Sequence, residues 1–340
     1  MQPKTTQDVE YLLRMYYASA AVATALELDL FWHLAKDPLE VKDISQIFNI
    51  PYNRCHYWLL LLTKLGLLEQ KGGKFAPSIN AHNAILEAYS SEAWSFMAQE
   101  TREGYPTIND LPLTISHPNS VWEAQGLNPP DYISKMTEDP KRAKRFTRML
   151  YELHKPLADK LVKILDMTNV NRLMDLGGGS GIISLALLKR YTKLNAVVVD
   201  IENVCRVGKE IADETAITER ITFHAANFMQ DDLPTGFDLI LECDIGIYRK
   251  ELFQKLWNSL NEGGRFVIVS NTNEQGAWIM HAESNPSIFW FLNAFSSSLE
   301  VPGFKISTID EVTTLLIQIG FQNVLVQIHD DGIVIIQANR

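Results

Sequence analysis

Cysteine is scarce in this sequence. Its 340 residues include three cysteines, Cys55, Cys205 and Cys243, which lie far apart in the chain. Neither a CxxC pair nor another Cys/His ligand spacing occurs, so the sequence indicates neither a zinc site nor a disulfide framework. We therefore expect no metal site and a chain that resides in a reducing compartment.

Long apolar runs are also absent, and basic residues are outnumbered. No stretch of about 18 apolar residues occurs and the start lacks a secretory signal pattern, so we expect a cytoplasmic protein without a membrane span. Asp and Glu total 41 against 31 for Lys and Arg, a net charge of −10. An acidic chain is poorly suited to binding nucleic acid through its overall field, and we expect no such partner.

The first hundred residues predict a small, mainly helical domain. Residues 11–35 carry apolar side chains at helical spacing on nearly all faces, which predicts a helix buried in a core or against another subunit. A helix over 53–65 and a hairpin turning at residues 72–73 complete a winged-helix pattern. The helix over 53–65 contains four consecutive leucines and few basic groups, so a dimerisation module is favoured over a DNA-binding one.

The second part of the chain has a different pattern of predicted secondary structure. Residues 101–165 suggest a helical linker that also borders an acceptor pocket, with a long loop over 105–132. From residue 171, short apolar strands alternate with helices, which predicts a parallel sheet covered on both faces. The last two strands are separated only by residues 330–332 and should form an antiparallel hairpin. We expect an α/β fold with domains at 1–100 and 101–340.

The most informative segment is the glycine-rich turn after the first strand of this sheet. Asp175 lies near the end of the strand, and four glycines in the run 177–181 precede the next helix. Bare backbone and free amide groups there suit a carboxylate or a phosphate. Asp200 ends the next strand, where a carboxylate accepts both hydroxyls of a ribose. The pattern fits a dinucleotide or an adenosylmethionine fold, and an acidic residue before the turn favours the second.

Several segments together resemble one family. DLGGGSG, VVVDIENV, HAANF, FDLILE and NEGGRFVIVS, after a winged-helix region, resemble the class I S-adenosylmethionine-dependent methyltransferases, and more narrowly the plant-type and bacterial small-molecule O-methyltransferases. The resemblance implies a Rossmann-like, seven-stranded methyltransferase sheet and an N-terminal winged-helix domain that forms a homodimer. It also implies S-adenosylmethionine as cofactor and S-adenosylhomocysteine as product.

The resemblance implies particular cofactor-binding residues. Those for the methionine end are Asp175, Gly177, Gly178, Gly179 and Gly181. Those for the adenosine end are Asp200 at the ribose, Ile201 on the adenine, and Asn227 and Phe228 flanking it. Cys243 falls where the family's fourth strand ends and would line the same pocket.

One family feature is missing. The family usually has a histidine just after the fourth strand to take the acceptor's proton, and residues 241–250 contain none. The candidate bases are Tyr248, His154 and His281, with Glu242 and Asp244 as alternatives. The chain can also do without such a base in three ways: C-methylation, as in the bacteriochlorophyll C-methyltransferase; an acceptor that arrives ionised; or a non-methylating reaction that uses the cofactor to position substrate for decarboxylation, cyclisation or hydroxylation.

Aromatic and apolar side chains dominate the segments that border the acceptor pocket by resemblance. The candidate pocket residues are Phe146, Met149, Trp278, Phe291 and Asn293. Their character predicts methyl transfer to a small, largely apolar aromatic or polyene metabolite. A ligand-sensing winged-helix regulator is the alternative from a different functional class.

Overall fold

The computed structural model describes residues 3–129, 131–272, 278–279 and 288–340. The chain divides into two compact units, Met1–Asn109 and Asp110–Arg340. The division falls slightly later than the position suggested by the sequence. No helix in the described ranges combines the length and apolar character needed to cross a membrane.

The first unit is mainly helical, with one small sheet. Its elements are α1 (Thr6–Glu27), α2 (Leu30–Lys36), β1 (Leu39–Glu40), α3 (Val41–Ile47), α4 (Tyr52–Lys64), β2 (Leu68–Lys71), β3 (Lys74–Pro77), α5 (Ile79–Ala81), a π-helical turn (His82–Leu86), α6 (Ser91–Glu103) and α7 (Tyr105–Asn109). The sheet order is β1-β3-β2, and β2 and β3 form the predicted hairpin. Phe31, Leu59 and Phe75 are fully buried in its core.

The prediction of a single helix over 11–35 is wrong. Asp29 has a left-handed backbone with φ 54°, so the segment forms two helices, α1 and α2. The C-terminal half of α1 is buried around Ala25, whereas Leu13 remains 71% exposed and Tyr17 60% exposed. Within this chain, the expected burial therefore holds only for the second half of α1.

The second unit begins with helices. They are α8 (Leu111–Thr114), α9 (Val121–Ala124), α10 (Tyr132–Glu138), α11 (Pro140–Leu153) and α12 (Lys155–Ile164). The loop expected over 105–132 is thus partly wrong, because short helices interrupt it. Asp139 caps α11 by accepting from the amides of Lys141 and Arg142, and Pro140 occupies the first turn, where its missing N–H costs nothing.

The remaining elements form the predicted α/β layer. They are β4 (Arg172–Leu176), α13 (Ile182–Arg190), β5 (Asn195–Asp200), α14 (Glu202–Asp213), a 3₁₀ turn (Thr218–Arg220), β6 (Ile221–Ala225), β7 (Phe237–Cys243), α15 (Lys250–Ser259), β8 (Leu260–Thr272), β9 (Trp278–Ile279), α16 (Ile288–Glu300), α17 (Ile309–Ile319), β10 (Gln322–Ile328) and β11 (Ile333–Asn339).

Seven of these strands make one main sheet in the order β10-β11-β8-β7-β4-β5-β6, and β9 pairs with β8 at its side. Five strands run parallel to one another: β6, β5, β4, β7 and β8. β11 pairs antiparallel with β8, and β10 pairs antiparallel with β11 in the predicted final hairpin. The central strands are apolar along almost their whole length because helices cover both faces. Ligands bind such sheets at the carboxyl ends of the strands, where Asp175 and Asp200 lie.

Candidate cofactor and active site

The glycine loop between β4 and α13 has a backbone that other residues adopt poorly. Gly177 and Gly179 have φ of 62° and 55°. A Cβ on Gly178 would lie 2.4 Å from the carboxyl carbon of Asp175, and one on Gly177 would lie 2.7 Å from Ile245. The loop therefore needs glycine both for its turn and for the close approach of its neighbours.

Gly181, expected at the methionine end of the cofactor, has a different surrounding. It precedes α13 with φ 73°, and a Cβ there would meet Phe223 at 3.2 Å. The structure thus explains this glycine by backbone conformation and by packing of the helix against the sheet.

Asp175 is buried beneath the loop. Its Oδ2 accepts a hydrogen bond of 2.7 Å from the Ser184 hydroxyl on α13. Burial raises the pKa of this carboxyl to about 6, and the bond from Ser184 opposes that rise. Ser184 could not be singled out from the sequence, because a serine inside a helix carries no distinguishing signal.

Asp200 lies at the end of β5 and faces the same loop. Its Oδ2 accepts from the Gly179 amide at 3.0 Å and its Oδ1 from the Ile201 amide at 2.8 Å. Burial, and to a lesser extent the charge of Asp175, raises its pKa to about 6. These two bonds fix the direction of the carboxylate at the strand end, where a ribose would be bound.

A cavity lies over the loop and opens to solvent. It is lined by Leu150, His154, Leu157, Asp175, Leu176, Gly177, Gly178, Gly179, Ser180, Ile182, Ile183, Cys243 and Asp244. Those described lining residues include two carboxyl groups and no lysine or arginine. Such a lining fits a small ligand with positive charge, as the ammonium and sulfonium groups of S-adenosylmethionine have. The donor set and the glycine cradle therefore fit that cofactor.

Cys243 and His154 both border this cavity. Burial, followed by the nearby Asp175, raises the pKa of the Cys243 thiol well above its ordinary value. The thiol is therefore neutral and serves as a wall of the cavity, not as a nucleophile.

Asn227 and Phe228 lie on the loop after β6. The Asn227 Oδ1 accepts from the Met229 amide at 3.1 Å, and its own backbone amide donates to Asp231 at 2.8 Å. The side-chain oxygen that the sequence offered to an adenine amino group is therefore already engaged in a local turn. An amide oxygen has two lone pairs, so the Asn227 Oδ1 can still accept one further hydrogen bond.

Lys255 on α15 holds this loop and was missed from the sequence. Its ammonium group donates to the carbonyls of Phe228, Met229 and Asp231 at 3.3, 3.1 and 2.8 Å. A lysine in an amphipathic helix looks like any solvated charge, so only the tertiary structure identifies this contact.

Glu242 and Tyr248 flank the turn after β7. Glu242 Oε1 accepts from the Ile245 amide at 2.7 Å, while Oε2 is buried without a hydrogen-bond partner among the described residues. Burial and the neighbouring Asp244 raise the pKa of Glu242 to about 8. Burial also raises the pKa of Tyr248 well above its ordinary value, so its phenol stays protonated at neutral pH.

The candidate acceptor-pocket residues do not form one described cluster. Phe146 packs with Ile201 beside α14, and Met149 is buried on α11. On α16, Phe291 is 58% exposed and Asn293 is partly buried. Trp278 belongs to β9, but its side chain lies outside the described part of the chain, as does the whole of His281.

The match to a known family agrees with this site. A family model described as the O-methyltransferase domain matches residues 115–290, just over half of the chain. The chain belongs to this O-methyltransferase domain family. The matched region includes the glycine loop, Asp200 and the turn after β7. S-adenosylmethionine is the cofactor of the family, which agrees with the prediction from the sequence.

Individual members of the family extend the comparison. The 3-hydroxy-5-methyl-1-naphthoate 3-O-methyltransferase of Streptomyces sahachiroi is 28% identical over 228 residues, 66% of this chain and 64% of that enzyme. The L-tyrosine C(3)-methyltransferase of Streptomyces lavendulae is 26% identical over 284 residues, 79% of this chain and 76% of that enzyme. By their names, one methylates oxygen and the other carbon.

A solved structure of the family confirms the fold. PigF with S-adenosylhomocysteine has a TM-score of 0.84 to this chain at 19% identity, covering 99% of this chain and 100% of PigF. The predicted α/β class with a seven-stranded sheet is therefore confirmed over the full length.

Proposed function

We propose that this protein transfers the methyl group of S-adenosylmethionine to a small, largely apolar aromatic or polyene metabolite. The observation that carries the proposal is the cavity over the glycine loop, whose described lining offers carboxyl groups and bare backbone without a neighbouring cation. When bound, the cofactor supplies an electrophilic methyl group on a positively charged sulfur. The protein contributes alignment and exclusion of water.

Different residues around the cavity would bind different parts of the cofactor. Asp200 would hold the ribose hydroxyls, and the backbone of the loop 177–181 together with Asp175 would hold the methionine end. The loop of Asn227 and Phe228, fixed by Lys255, would flank the adenine.

The acceptor class rests on the relatives and on side-chain character. A naphthoate and a tyrosine are named as substrates of the two enzymes compared above, and both are aromatic. Phe291 and Phe295 lie exposed on α16, in the segment that borders the acceptor pocket by family resemblance. The methyltransferase names of the relatives do not favour a non-methylating enzyme or a ligand-sensing regulator.

For an acceptor that must lose a proton, we propose His154 as the base. It borders the cavity together with Asp175 and Cys243, so it lies near the methionine end of the cofactor. Tyr248 is a weaker candidate because its raised pKa keeps the phenol protonated. Replacing His154 by Gln should lower kcat by about 10²–10⁴-fold and leave the affinity for S-adenosylhomocysteine unchanged. Equal losses in both quantities would show that His154 has a structural role only.

The first unit is proposed to form a homodimer. Val9, Leu12, Leu13, Tyr16 and Tyr17 recur at helical spacing on α1 and are exposed in the single chain. A continuous apolar stripe on a helix normally packs against a partner.

Calorimetric titration with S-adenosylhomocysteine tests the proposed function. The wild-type protein should bind it, and Asp200→Asn should weaken binding at least about tenfold because a charge-assisted bond to the ribose is lost. Asp232→Asn, at an exposed position, is the control. Binding should be followed by transfer of labelled methyl from S-adenosylmethionine to hydroxynaphthoate or polyene acceptors. A wild-type protein that does not bind S-adenosylhomocysteine would refute the proposal.

A further inference from the structure

The helices α10 and α11 lie against α14, close to the adenosine end of the proposed site. The Asn203 side chain donates to the carbonyls of Met136 and Thr137 at 2.9 and 3.0 Å, which ties α10 to the start of α14. Two hydrogen bonds from one amide fix both the position and the direction of α10.

An apolar cluster reinforces this contact. Met136, Ala143 and Val204 are buried together, and Phe146 and Ile201 pack against them. Ile201 directly follows Asp200, so the cluster lies beside the carboxylate proposed for the ribose. Phe146, expected from the sequence to line the acceptor pocket, therefore faces the cofactor's side of the site.

Tyr132 begins α10 and extends this wall. Its ring meets the Phe146 ring edge-on, with centroids 5.7 Å apart. The phenol lies near enough to Asp200 and Cys205 that their charges add to burial in raising its pKa. The residue is still 43% exposed, so it borders an opening and is not part of a closed core.

The same helix that carries Phe146 also reaches the methionine end. Leu150 and His154 line the cavity over the glycine loop, one and two turns further along the chain, and His154 lies at the end of α11. One helix thus runs beside the whole length of the proposed cofactor site.

We propose that Tyr132 and Phe146 cover the ribose and adenine of the cofactor, so that α10 and the first half of α11 bind cofactor and not acceptor. This inference rests on the proposed function. The phenol remains protonated and can donate to a ribose or adenine acceptor, while the two rings exclude water from the Asp200 carboxylate. These residues are additional to Asp200, Asn227 and Phe228.

The first test compares ligand affinities by calorimetry. Tyr132→Ala and Phe146→Ala should each weaken binding of S-adenosylhomocysteine about tenfold, and binding of 5′-methylthioadenosine by the same factor, because the lost contacts are to adenosine. Tyr132→Phe keeps the ring and should lose less than Tyr132→Ala. The control is Tyr57→Ala, which removes an exposed helical tyrosine from the first unit.

The outcomes separate this inference from the proposed function. Failure of the wild-type protein to bind either ligand overturns both. Wild-type binding with unchanged affinity in both alanine variants overturns the aromatic cover alone. Should a variant fail to fold, hydrogen exchange on the wild-type protein decides the question. Adding S-adenosylhomocysteine should slow exchange in residues 132–138 as well as 175–181, and protection of the glycine loop without that of α10 would overturn the cover.

Discussion

The buried carboxyl groups around the glycine loop are the distinctive residues of this protein. Asp175, Asp200 and Glu242 all have raised pKa values, and burial is the largest cause for each. In the described part of the chain, none of the three has a lysine or arginine among the groups that shift its pKa. A site built this way is destabilised when its carboxylates ionise, and a bound cation relieves that cost.

Glu242 allows a direct test of this cost. Its pKa rises from 4.5 to about 8 on folding, so between these values the folded state binds more protons than the unfolded state. The free energy of unfolding of the wild-type protein should therefore fall as pH rises through that range. Glu242→Gln removes this ionisation. From about pH 6 to about pH 9, the free energy of unfolding of the variant, measured relative to that of the wild-type protein, should therefore increase by the order of a few kcal/mol.

Urea unfolding at both pH values measures this difference. Asp175 and Asp200 titrate mainly at the lower end of the range, with pKa values of about 6, and contribute equally to both proteins. Glu262→Gln, at an exposed position, should show no pH-dependent gain. A constant difference between Glu242→Gln and the wild-type protein across the range would contradict the buried ionisation.

At the scale of elements, the site depends on how helices hold the loops at the strand ends. α15 contributes Lys255 to the loop after β6, and α14 contributes Asn203 to α10. The turn after β7 is held from within, because the Glu242 carboxyl group accepts from the Ile245 amide through Oε1, and Ile245 packs against Gly177. Each loop is therefore fixed by a polar side chain that is not among the residues lining the cavity at the methionine end.

Lys255→Met should separate loop order from folding. The variant keeps the length of the side chain but loses three hydrogen bonds from a charged donor, so the loop of Asn227 and Phe228 should loosen. We expect the affinity for S-adenosylhomocysteine to fall about tenfold, measured by calorimetry. Lys250→Met, exposed on the same helix, is the matched control. Unaltered affinity in Lys255→Met would mean that this loop does not contact the cofactor.

At the scale of the whole molecule, the exposed face of α1 is a marked departure from ordinary surface composition. Aromatic and aliphatic side chains follow one another there over more than two turns of helix. The buried half of the same helix is made mainly of small alanines that pack within the first unit. The C-terminal half of α1 thus packs in the core of the first unit, while its N-terminal half carries an exposed apolar stripe.

Light scattering on the intact chain checks the proposed homodimer. The wild-type protein should have twice the mass of one chain, and the double substitution Leu13→Glu with Tyr17→Glu should shift it to a monomer, because two charges would be buried in the contact. The control is Ile79→Glu, which places one charge at a position as exposed as Leu13, at 71%. A wild-type monomer at micromolar concentration would contradict the dimer.

The sequence by itself determined the layer architecture, the glycine loop and the position of Asp200 at the next strand end. Apolar strands that alternate with helices are buried on both faces only in a parallel sheet covered by those helices. Two consecutive strands joined by a short turn can pair only in the antiparallel direction. The run 177–181 after a strand requires glycine for its backbone, and Asp200 follows at the next strand end, so local chemistry was sufficient for both.

Only the tertiary structure decided which distant groups meet these residues. The contacts of Lys255 with the adenine loop, of Ser184 with Asp175 and of Tyr132 with the surroundings of Asp200 join residues whose local patterns are those of ordinary helices. The place of Phe146 beside Ile201 was likewise set by packing, and the break of the first helix at Asp29 was not predicted from the sequence. Helical periodicity tells which face of a helix is apolar, whereas the partner of that face depends on the whole fold.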